Sequence, residues 1–414
     1  MNTPNGGDAE ERRNFILNIF EGAIFLAGAA MISPQTVLPA LVARLGGGNV
    51  AIGALGVIVY LGQSLPQFFA ARHIEQLPWK KPWVVGFGFF HRLMVLFVGL
   101  VILIFGASHP WIALWGFFLF FSASQVLIGI TIPGWFDIFA KLSPVSRRGR
   151  LIGIRNSGGG AGGLLCGLIM AWLLDALQFP ANFAVVIFIA YFLQMVSLGI
   201  QSRLIESSPS AVVHPKPFAT FLQTLPGVLR NNVQFREFLV ATVVLVVATM
   251  PVGFYTVYAL KRFDADPGAV GRFTLTMVAI QVVSALAMGY LSDRYGNRTV
   301  LLVSAGSLLC ATAWALLAPS LAWFTLVFLF LGVNLGSETM ARYNMTIEYG
   351  PVEQRSTYVG MLGAVLAPFY LSGIAGGYIS DAFGYGAVFV VGGLFSLLGI
   401  FLLYSRVHDP RPAV

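Results

Sequence analysis

Charged residues are scarce in this chain. Of its 414 residues, 10% are Asp, Glu, Lys or Arg and 57% are hydrophobic, and the mean hydropathy is +0.80. Soluble domains carry about 25% charged residues, so water cannot be the main solvent of this protein. Only two cysteines occur, Cys166 and Cys310. They lie in separate apolar runs, where small packing residues are more usual than a disulfide or a metal pair.

Catalytic arrangements are also missing. No Ser/His, Cys/His or His-Glu-x-x-His pattern occurs, and the polar loops are too short to form a catalytic domain. We therefore expect no enzyme, no cofactor and no metal site. The net charge of +8 could indicate a nucleic-acid partner, but the positive charges lie in short loops between apolar runs, as membrane topology requires. No nucleic acid is expected.

Twelve apolar runs are each long enough to cross a lipid bilayer, which takes about 20 residues in a helix. They cover roughly 15–42, 50–71, 82–105, 110–136, 151–174, 181–202, 237–260, 268–291, 299–318, 321–345, 357–380 and 385–405. Most loop arginines and lysines fall on one side of these runs, and Arg44, Lys261, Arg262 and Arg272 fall on the other. The positive-inside rule then places both termini in the cytoplasm. We expect a multi-pass protein of the plasma (inner) membrane.

The second half of the chain repeats the first. An offset of 218 residues aligns Arg44 with Arg262, and an offset of 207 aligns Arg148 with Arg355. Six helices followed by six related helices are typical of a transporter built from parallel repeats. The predicted organisation is a cytoplasmic tail (1–13), an N-terminal six-helix bundle (14–205), a cytoplasmic linker (206–234), a C-terminal six-helix bundle (235–406) and a cytoplasmic tail (407–414).

A short basic turn at residues 289–298 separates two of the apolar runs. It reads Gly-Tyr-Leu-Ser-Asp-Arg-Tyr-Gly-Asn-Arg, which follows the pattern Gly-x-Leu-small-Asp-Arg-x-Gly-x-Arg and departs only at Asn297, where a basic residue is commoner. This turn resembles the signature loop of the major facilitator superfamily of membrane transporters. A degenerate copy at 71–80 keeps the acid, Glu75, and the base, Lys80.

The resemblance implies a fold and a function. The fold is an all-α integral membrane protein with twelve transmembrane helices in two pseudo-symmetric six-helix bundles. The function is secondary active transport of a small organic solute by alternating access, and we favour proton-coupled export by a monomer. The alternatives are a metabolite importer or facilitator and, from another class, a non-transporting membrane assembly factor or receptor.

Three ionisable residues in the predicted spans are candidates for proton coupling: Glu21, His91 and Arg92. An ionisable side chain in a span costs several kcal/mol unless it is paired or wetted. Glu21 has no cation within one turn of its own helix, so it could carry a proton. The alternative is a static ion pair with Arg92 or Arg155. His91 could equally be a hydrogen-bonded packing residue.

Further charges are candidates for a gate on the cytoplasmic side. Glu338 and Arg342 are one turn apart and can pair, and Asp137 can reach Lys80 or Lys81. The resemblance implies that Asp293, which matches the signature acid, meets the start of the eleventh predicted span, at 357–380. The whole predicted network comprises Asp293, Arg294, Arg298, Glu338, Arg342, Glu75, Lys80 and Asp137.

The candidate substrate cavity is aromatic and carries few charges. Its predicted lining residues are Phe25, Gln125, Tyr255, Tyr258 and Asn334. Such a pocket suits a moderately apolar or cationic organic molecule, although aromatic residues also form lipid-facing belts. A glycine run at residues 158–163, interrupted only by Ala161, predicts a close approach between two helices.

The predicted topology can be tested by cysteine labelling in intact cells, on a background without Cys166 and Cys310. Cysteines introduced at Asn5 and Arg411 should resist an impermeant thiol reagent because both termini are expected inside. A cysteine at Gly47 should react. Labelling of either terminus from outside would contradict the span count.

Overall fold

The computed structural model describes residues 6–210, 226–351 and 354–410, and within those ranges the chain is helical with no strand. The first half contains α1 (Gly6–Ala30), α2 (Val37–Arg44), α3 (Asn49–Glu75), α4 (Lys81–Phe105), α5 (Pro110–Leu142), α6 (Val145–Ala176) and α7 (Ala181–Gln201). The second contains α8 (Val233–Ala248), α9 (Phe254–Arg262), α10 (Ala269–Tyr295), α11 (Asn297–Leu317), α12 (Leu321–Tyr349), α13 (Arg355–Leu366), a 3-10 turn (Ala367–Leu371), α14 (Ser372–Phe383) and α15 (Tyr385–Ser405). The predicted linker is described only in part, because residues 211–225 lie outside these ranges.

Two of the twelve apolar runs are broken helices. The run at 15–42 divides into α1 and α2, and the run at 237–260 divides into α8 and α9. Each break contains a proline, Pro34 or Pro251, which lacks the backbone N–H that a continuous helix needs. Ten further helical segments are long and apolar enough to cross a membrane in the described part of the chain. These ten spans, one of which (Thr357–Phe383) includes the 3-10 turn, and the two broken runs give the predicted twelve within the described residues.

The first compact unit comprises Met1–Ser33, Arg44–Gly46 and Ile58–Pro215. In it, α1 packs along α6 and α7, and α4 packs along α5 and α7. The glycine run brings α6 against α1, as predicted, because a Cβ added at Gly158 would lie 3.0 Å from the Cβ of Ala23, and one at Gly162 would lie 2.8 Å from that of Ala27. Larger residues would force these two helices apart.

The second unit comprises Pro34–Ala43, Gly47–Val57 and Lys216–Val414. The start of α3 packs closely on α14 within it, since a Cβ added at Gly53 would overlap the carbonyl of Gly373. Beside this approach, Asn49 Nδ2 donates to Asp381 Oδ1 at 2.7 Å and Asn49 Oδ1 accepts from the Tyr385 hydroxyl at 2.7 Å. Residues of the first repeat therefore form part of this unit.

The turn at 289–298 is held by a carboxylate from beyond α15. Asp409 Oδ2 accepts from the Arg298 N–H at 3.0 Å, near the start of α11, and the Arg298 guanidinium donates to the carbonyls of Leu403 and Tyr404. Gly296 has φ +83, and a Cβ there would overlap the Asp409 carboxylate. Both facts require glycine at this position.

The first unit contains the same arrangement. Glu206, which follows α7, accepts from the N–H groups of Lys80 at 3.1 Å and Lys81 at 3.0 Å, at the start of α4. It also pairs with Lys141 Nζ at 2.8 Å. Negative charge at a helix N-terminus satisfies free N–H groups and the helix dipole. We call Glu206 and Asp409 the carboxylate clamps.

The Glu206 clamp predicts a pH-dependent stability. Burial raises the pKa of Glu206, but hydrogen bonds from Lys141 and from the Lys81 and Lys80 amides outweigh it and hold the pKa below its usual value of 4.5. A carboxylate with a lowered pKa stabilises the fold above its unfolded pKa, and the stabilisation is lost as the pH falls through the folded value. Glu206→Gln should lower the melting temperature near neutral pH by about 2–4 °C for each kcal/mol lost.

The difference between Glu206→Gln and the unchanged protein should begin to shrink as the pH falls below the ordinary pKa of 4.5 and should disappear as the pH falls through the lower folded pKa of Glu206. Glu75→Gln is the matched control because Glu75 is exposed at the end of α3. A melting difference that does not vary with pH would show that the Glu206 charge is not the stabilising feature.

Candidate functional site

A cluster of polar side chains lies inside the first unit, where apolar packing would be expected. Its members come from five helices, and each is at most 8% exposed. We call this set the buried polar cluster: Asn18, Glu21, His91, Arg92, Ser124, Gln125, Arg155, Gln194 and Ser197. Because ionisable groups within a membrane are costly, this cluster is the first candidate for function.

Glu21 on α1 and Arg155 on α6 form the central ion pair. Arg155 Nη1 lies 2.6 Å from Glu21 Oε2, and Ser197 Oγ on α7 donates to Glu21 Oε1 at 3.2 Å. The guanidinium also lies 4.7 Å from the centre of the Trp135 ring, within cation–π distance. Of the two partners considered for Glu21 in a static pair, the structure places Arg155 against it.

A glycine makes room for this pair. The Arg155 side chain passes directly over Gly22, so a Cβ added there would overlap Arg155 Nε and Cζ. Glu21 and Gly22 are adjacent on α1, which places the carboxylate and the space for its partner side by side. Any side chain at position 22 would displace the guanidinium.

Arg92 on α4 has no acidic partner at ion-pair distance within the described ranges. Its Nε donates to the Gln194 carbonyl at 2.6 Å and its Nη1 donates to the Gly88 carbonyl at 2.8 Å. The Phe25 ring centre lies 5.6 Å from the guanidinium carbon. Glu21 attracts Arg92 electrostatically without touching it. Neutral carbonyls therefore hold a buried positive charge.

His91, the neighbour of Arg92, is hydrogen-bonded through both ring nitrogens. Nδ1 lies 3.0 Å from Ser124 Oγ, and Nε2 lies 3.2 Å from Gln194 Oε1. An amide oxygen only accepts, so these partners suit a neutral ring with its proton on Nε2. This geometry matches the packing alternative for His91. Gln125, next to Ser124, accepts from Gln63 Nε2 at 2.9 Å.

The charges of the buried polar cluster do not cancel. Arg92 and Arg155 contribute two positive charges and Glu21 contributes one negative charge, so with a neutral His91 the sum is +1. The free-energy cost of removing water from an ion is offset only by a close opposite charge and by hydrogen bonds. The cluster therefore has an excess positive charge, located at Arg92.

The remaining cavity candidates lie in the second unit. Tyr255 is 0% exposed and its hydroxyl bonds Thr312 Oγ1 at 3.0 Å, and its cavity role stays a prediction. Asn334 is buried and donates to Ser304 Oγ at 2.9 Å, joining α12 to α11. Tyr258 is half-buried and its hydroxyl accepts from Arg262. The cavity roles of Asn334 and Tyr258 stay predictions.

The predicted cytoplasmic network is assembled only in part. Arg342 Nη1 pairs with Glu338 Oε1 at 2.8 Å along α12, as the spacing predicts. Asp293 is exposed and has no hydrogen bond or ion pair with any residue that the structure describes, and Arg294 is also exposed. Arg298 is directed to the end of α15 instead. The expected connection of Asp293 and Arg298 to the Glu338–Arg342 pair is therefore absent.

The predicted network charges in the first unit are also not joined to one another. The Lys80 amine is buried and donates to the Ile74 carbonyl, whereas Glu75 and Asp137 are exposed. Asp137 has no ion pair with Lys80 or Lys81, contrary to expectation, because backbone oxygen and the Glu206 clamp already engage the start of α4.

Several important residues were missed by sequence analysis. Both clamps lie in a further pair of matching segments from the two halves, which could have revealed them. Ser-Arg-Leu-Ile-Glu at 202–206 aligns with Ser-Arg-Val-His-Asp at 405–409. Gln194 and Ser197 are uncharged residues within an apolar run, and no sequence signal sets them apart. Asn297, the departure from the signature pattern, is fully buried and donates to Glu348 Oε1 at 3.0 Å. This bond joins the turn to α12.

Neither cysteine forms a disulfide, and Cys166 is buried whereas Cys310 is exposed. Within residues 6–210, 226–351 and 354–410, no group of three or more His, Cys, Asp or Glu side chains is placed to hold a metal ion.

Comparison with known proteins gives consistent results. The "Major Facilitator Superfamily" family matches residues 238–414. The chain is 24% identical over 162 residues to "Niacin transporter NiaP" of Acinetobacter baylyi (strain ATCC 33305 / BD413 / ADP1). That match covers 39% of this chain and only 37% of the relative's length.

Solved transporter structures have the same fold. A crystal structure of the nucleoside transporter NupG, in a mutant form, has a TM-score of 0.71 at 13% identity and covers 96% of this chain and 100% of that one. A D-xylose-proton symporter has a TM-score of 0.71 at 14% identity and covers 97% and 99%. The sequence match places residues 238–414 in the major facilitator superfamily, and the chain as a whole has the fold of these solved transporters.

Proposed function

We propose that this transporter moves a small organic solute by alternating access and couples the movement to protons through the Glu21–Arg155 pair. The observation that supports this most is the pair itself: a buried carboxylate bonded at 2.6 Å to an arginine of another helix. Protonation of Glu21 removes its negative charge and weakens the bond. One proton can therefore change how α1 and α6 interact.

The free energies of the intact Glu21–Arg155 pair and of the pair with Glu21 protonated explain how a proton could be linked to transport. While the pair is intact, each charge compensates the other in a poorly solvated interior. When Glu21 is protonated, Arg155 keeps its charge and needs another partner. A solute that compensates the positive charge left by protonation and a proton on Glu21 then favour each other's binding, which is the thermodynamic requirement for coupling.

The direction of transport is the finer part of the proposal. Export is the direction expected from the sequence and stays a prediction. Uptake is an equal candidate, because the structures of similar fold include a D-xylose-proton symporter. The first panel to test comprises niacin, a nucleoside and D-xylose, which are the solutes in the names of the similar proteins.

The Glu338–Arg342 pair is proposed to act in gating, since one of its members is half-buried and the other is buried.

The coupling role predicts a separation of two kinds of flux in proteoliposomes. Glu21→Gln should lose uphill solute movement driven by a pH gradient, because the amide does not titrate. It should keep solute counterflow, which needs binding and conformational exchange but no net proton movement. Proton-driven accumulation at the unchanged rate would exclude Glu21 as the coupling group.

Glu21→Gln also leaves Arg155 buried without its acid, which typically costs about 3–5 kcal/mol of stability. The double variant Glu21→Gln/Arg155→Gln removes both charges and should recover much of the melting temperature. It should not recover proton-driven flux, which separates the effect on folding from the effect on coupling.

The space at Gly22 gives a test that changes no charge. Gly22→Ala should displace Arg155 from Glu21, lower the melting temperature and impair proton-driven flux. Alanine is favoured over glycine in a helix by about 1 kcal/mol, so a loss of stability would run against helix propensity. Gly199→Ala on α7 is the control, because a Cβ there has nothing within 4 Å. Equal melting temperatures for the two variants would mean that the position of Arg155 does not matter.

A further inference from the structure

We infer that the solute bound by the buried polar cluster is a small organic anion, a monocarboxylate, whose carboxylate pairs with Arg92. The inference rests on the proposed transport function and specifies its substrate class. It begins from the excess charge of +1, formed by Arg92 and Arg155 against Glu21. Arg155 has its acid, so the excess lies on Arg92.

The bonding of Arg92 leaves part of its guanidinium available. Nε and Nη1 donate to the carbonyls of Gln194 and Gly88, whereas Nη2 donates to no residue in the described part of the chain. The two carbonyls fix the plane and direction of the group without neutralising it. A fixed guanidinium is well suited to a carboxylate, which it binds by charge-assisted hydrogen bonds.

The charge balance distinguishes three classes of solute. A cation would raise the local charge from +1 to +2, and a neutral solute would leave the excess in place. With Glu21 ionised, a monoanion would bring the sum to zero and a dianion would make it negative. With Glu21 protonated, as the proposed coupling requires, the sum before solute binding is +2, and a monoanion still lowers it whereas a cation raises it. A poorly solvated interior favours the neutral sum. An organic anion differs from the apolar or cationic solute that the aromatic residues alone predict.

The aromatic surroundings favour an organic carboxylate over a small inorganic anion. The Phe25 ring lies against Arg92 at 5.6 Å and the Trp135 ring lies against Arg155 at 4.7 Å. Ligand sites commonly combine apolar walls with a few polar groups that fix orientation. Here, the arginine would fix the carboxylate and the rings would contact the remainder of the solute.

Binding to the purified protein tests the charge class with matched probes. Benzoate, benzamide and benzamidine share one shape and differ in charge, and acetate, acetamide and acetamidine form a smaller series. Isothermal titration should give tighter binding for the anion than for its neutral and cationic partners in at least one series. If neither anion binds more tightly than its neutral partner, the inference is wrong.

The residue assignment is tested with the anion that binds more tightly. Arg92→Gln should weaken its binding by at least about tenfold, the usual loss for a hydrogen bond to a charged group. Arg147→Gln should leave it within about twofold, because Arg147 is an exposed arginine paired with Glu11 at 2.9 Å. Arg92→Lys retains the charge, so its affinity for the anion should lie between that of Arg92→Gln and that of the unchanged protein. Equal binding by Arg92→Gln and the unchanged protein would overturn the assignment.

Failure of the inference can be told apart from failure of the proposed function. Solute flux in proteoliposomes with no preference for anions would leave transport standing and refute the substrate class. Preferred anion binding without any flux would leave the site standing and refute transport. Because the probe comparison is made on the unchanged protein, poor folding of a variant does not remove the test.

Discussion

The Glu21–Arg155 ion pair is the interaction on which the interior of the first unit depends. An isolated charge within a membrane-spanning bundle costs several kcal/mol, and breaking a buried pair leaves such a charge behind. The structure surrounds the pair with Ser197 and the Trp135 ring, and places Arg92 near enough to be attracted by the same carboxylate. One acid therefore serves two arginines, and protonation of that acid changes the balance for both.

Small residues provide the geometry that this pair requires. Gly22 admits the Arg155 side chain, and Gly158 and Gly162 let α6 approach α1 closely enough for the bond to form. The glycines add no chemistry of their own, but they determine the distance between the helices that hold the two charges. Packing and electrostatics are consequently inseparable here, since a methyl group at one glycine would alter an ion pair without altering any charged residue.

Much of the fold could be predicted because its causes are local. Apolar runs of sufficient length become spans, and the 218-residue offset pairs the two broken helices, whose breaks both contain a proline. The spacing of Glu338 and Arg342 by one turn was enough to predict their bond. These results follow from hydrophobicity, helical geometry and backbone chemistry.

The site was harder to predict because its contacts join distant parts of the chain. Arg155 was one of two possible partners for Glu21, and only the packing of α1 against α6 decides between them. The signature turn showed the opposite problem. Its charged residues drew attention to Asp293, whereas the ordering contacts come from Asp409 and Glu348, which lie far along the sequence. Spacing within one helix does not reveal such partners.

The protonation state of Glu21 during binding is the most direct test of the account. Infrared difference spectra of the protein, recorded with and without a transported solute, would detect the carbonyl stretch of a newly protonated carboxyl group. The account predicts that this band appears on solute binding and is absent in Glu21→Gln. A Glu21 carboxylate that stays ionised at every stage of binding would contradict proton coupling through the Glu21–Arg155 pair.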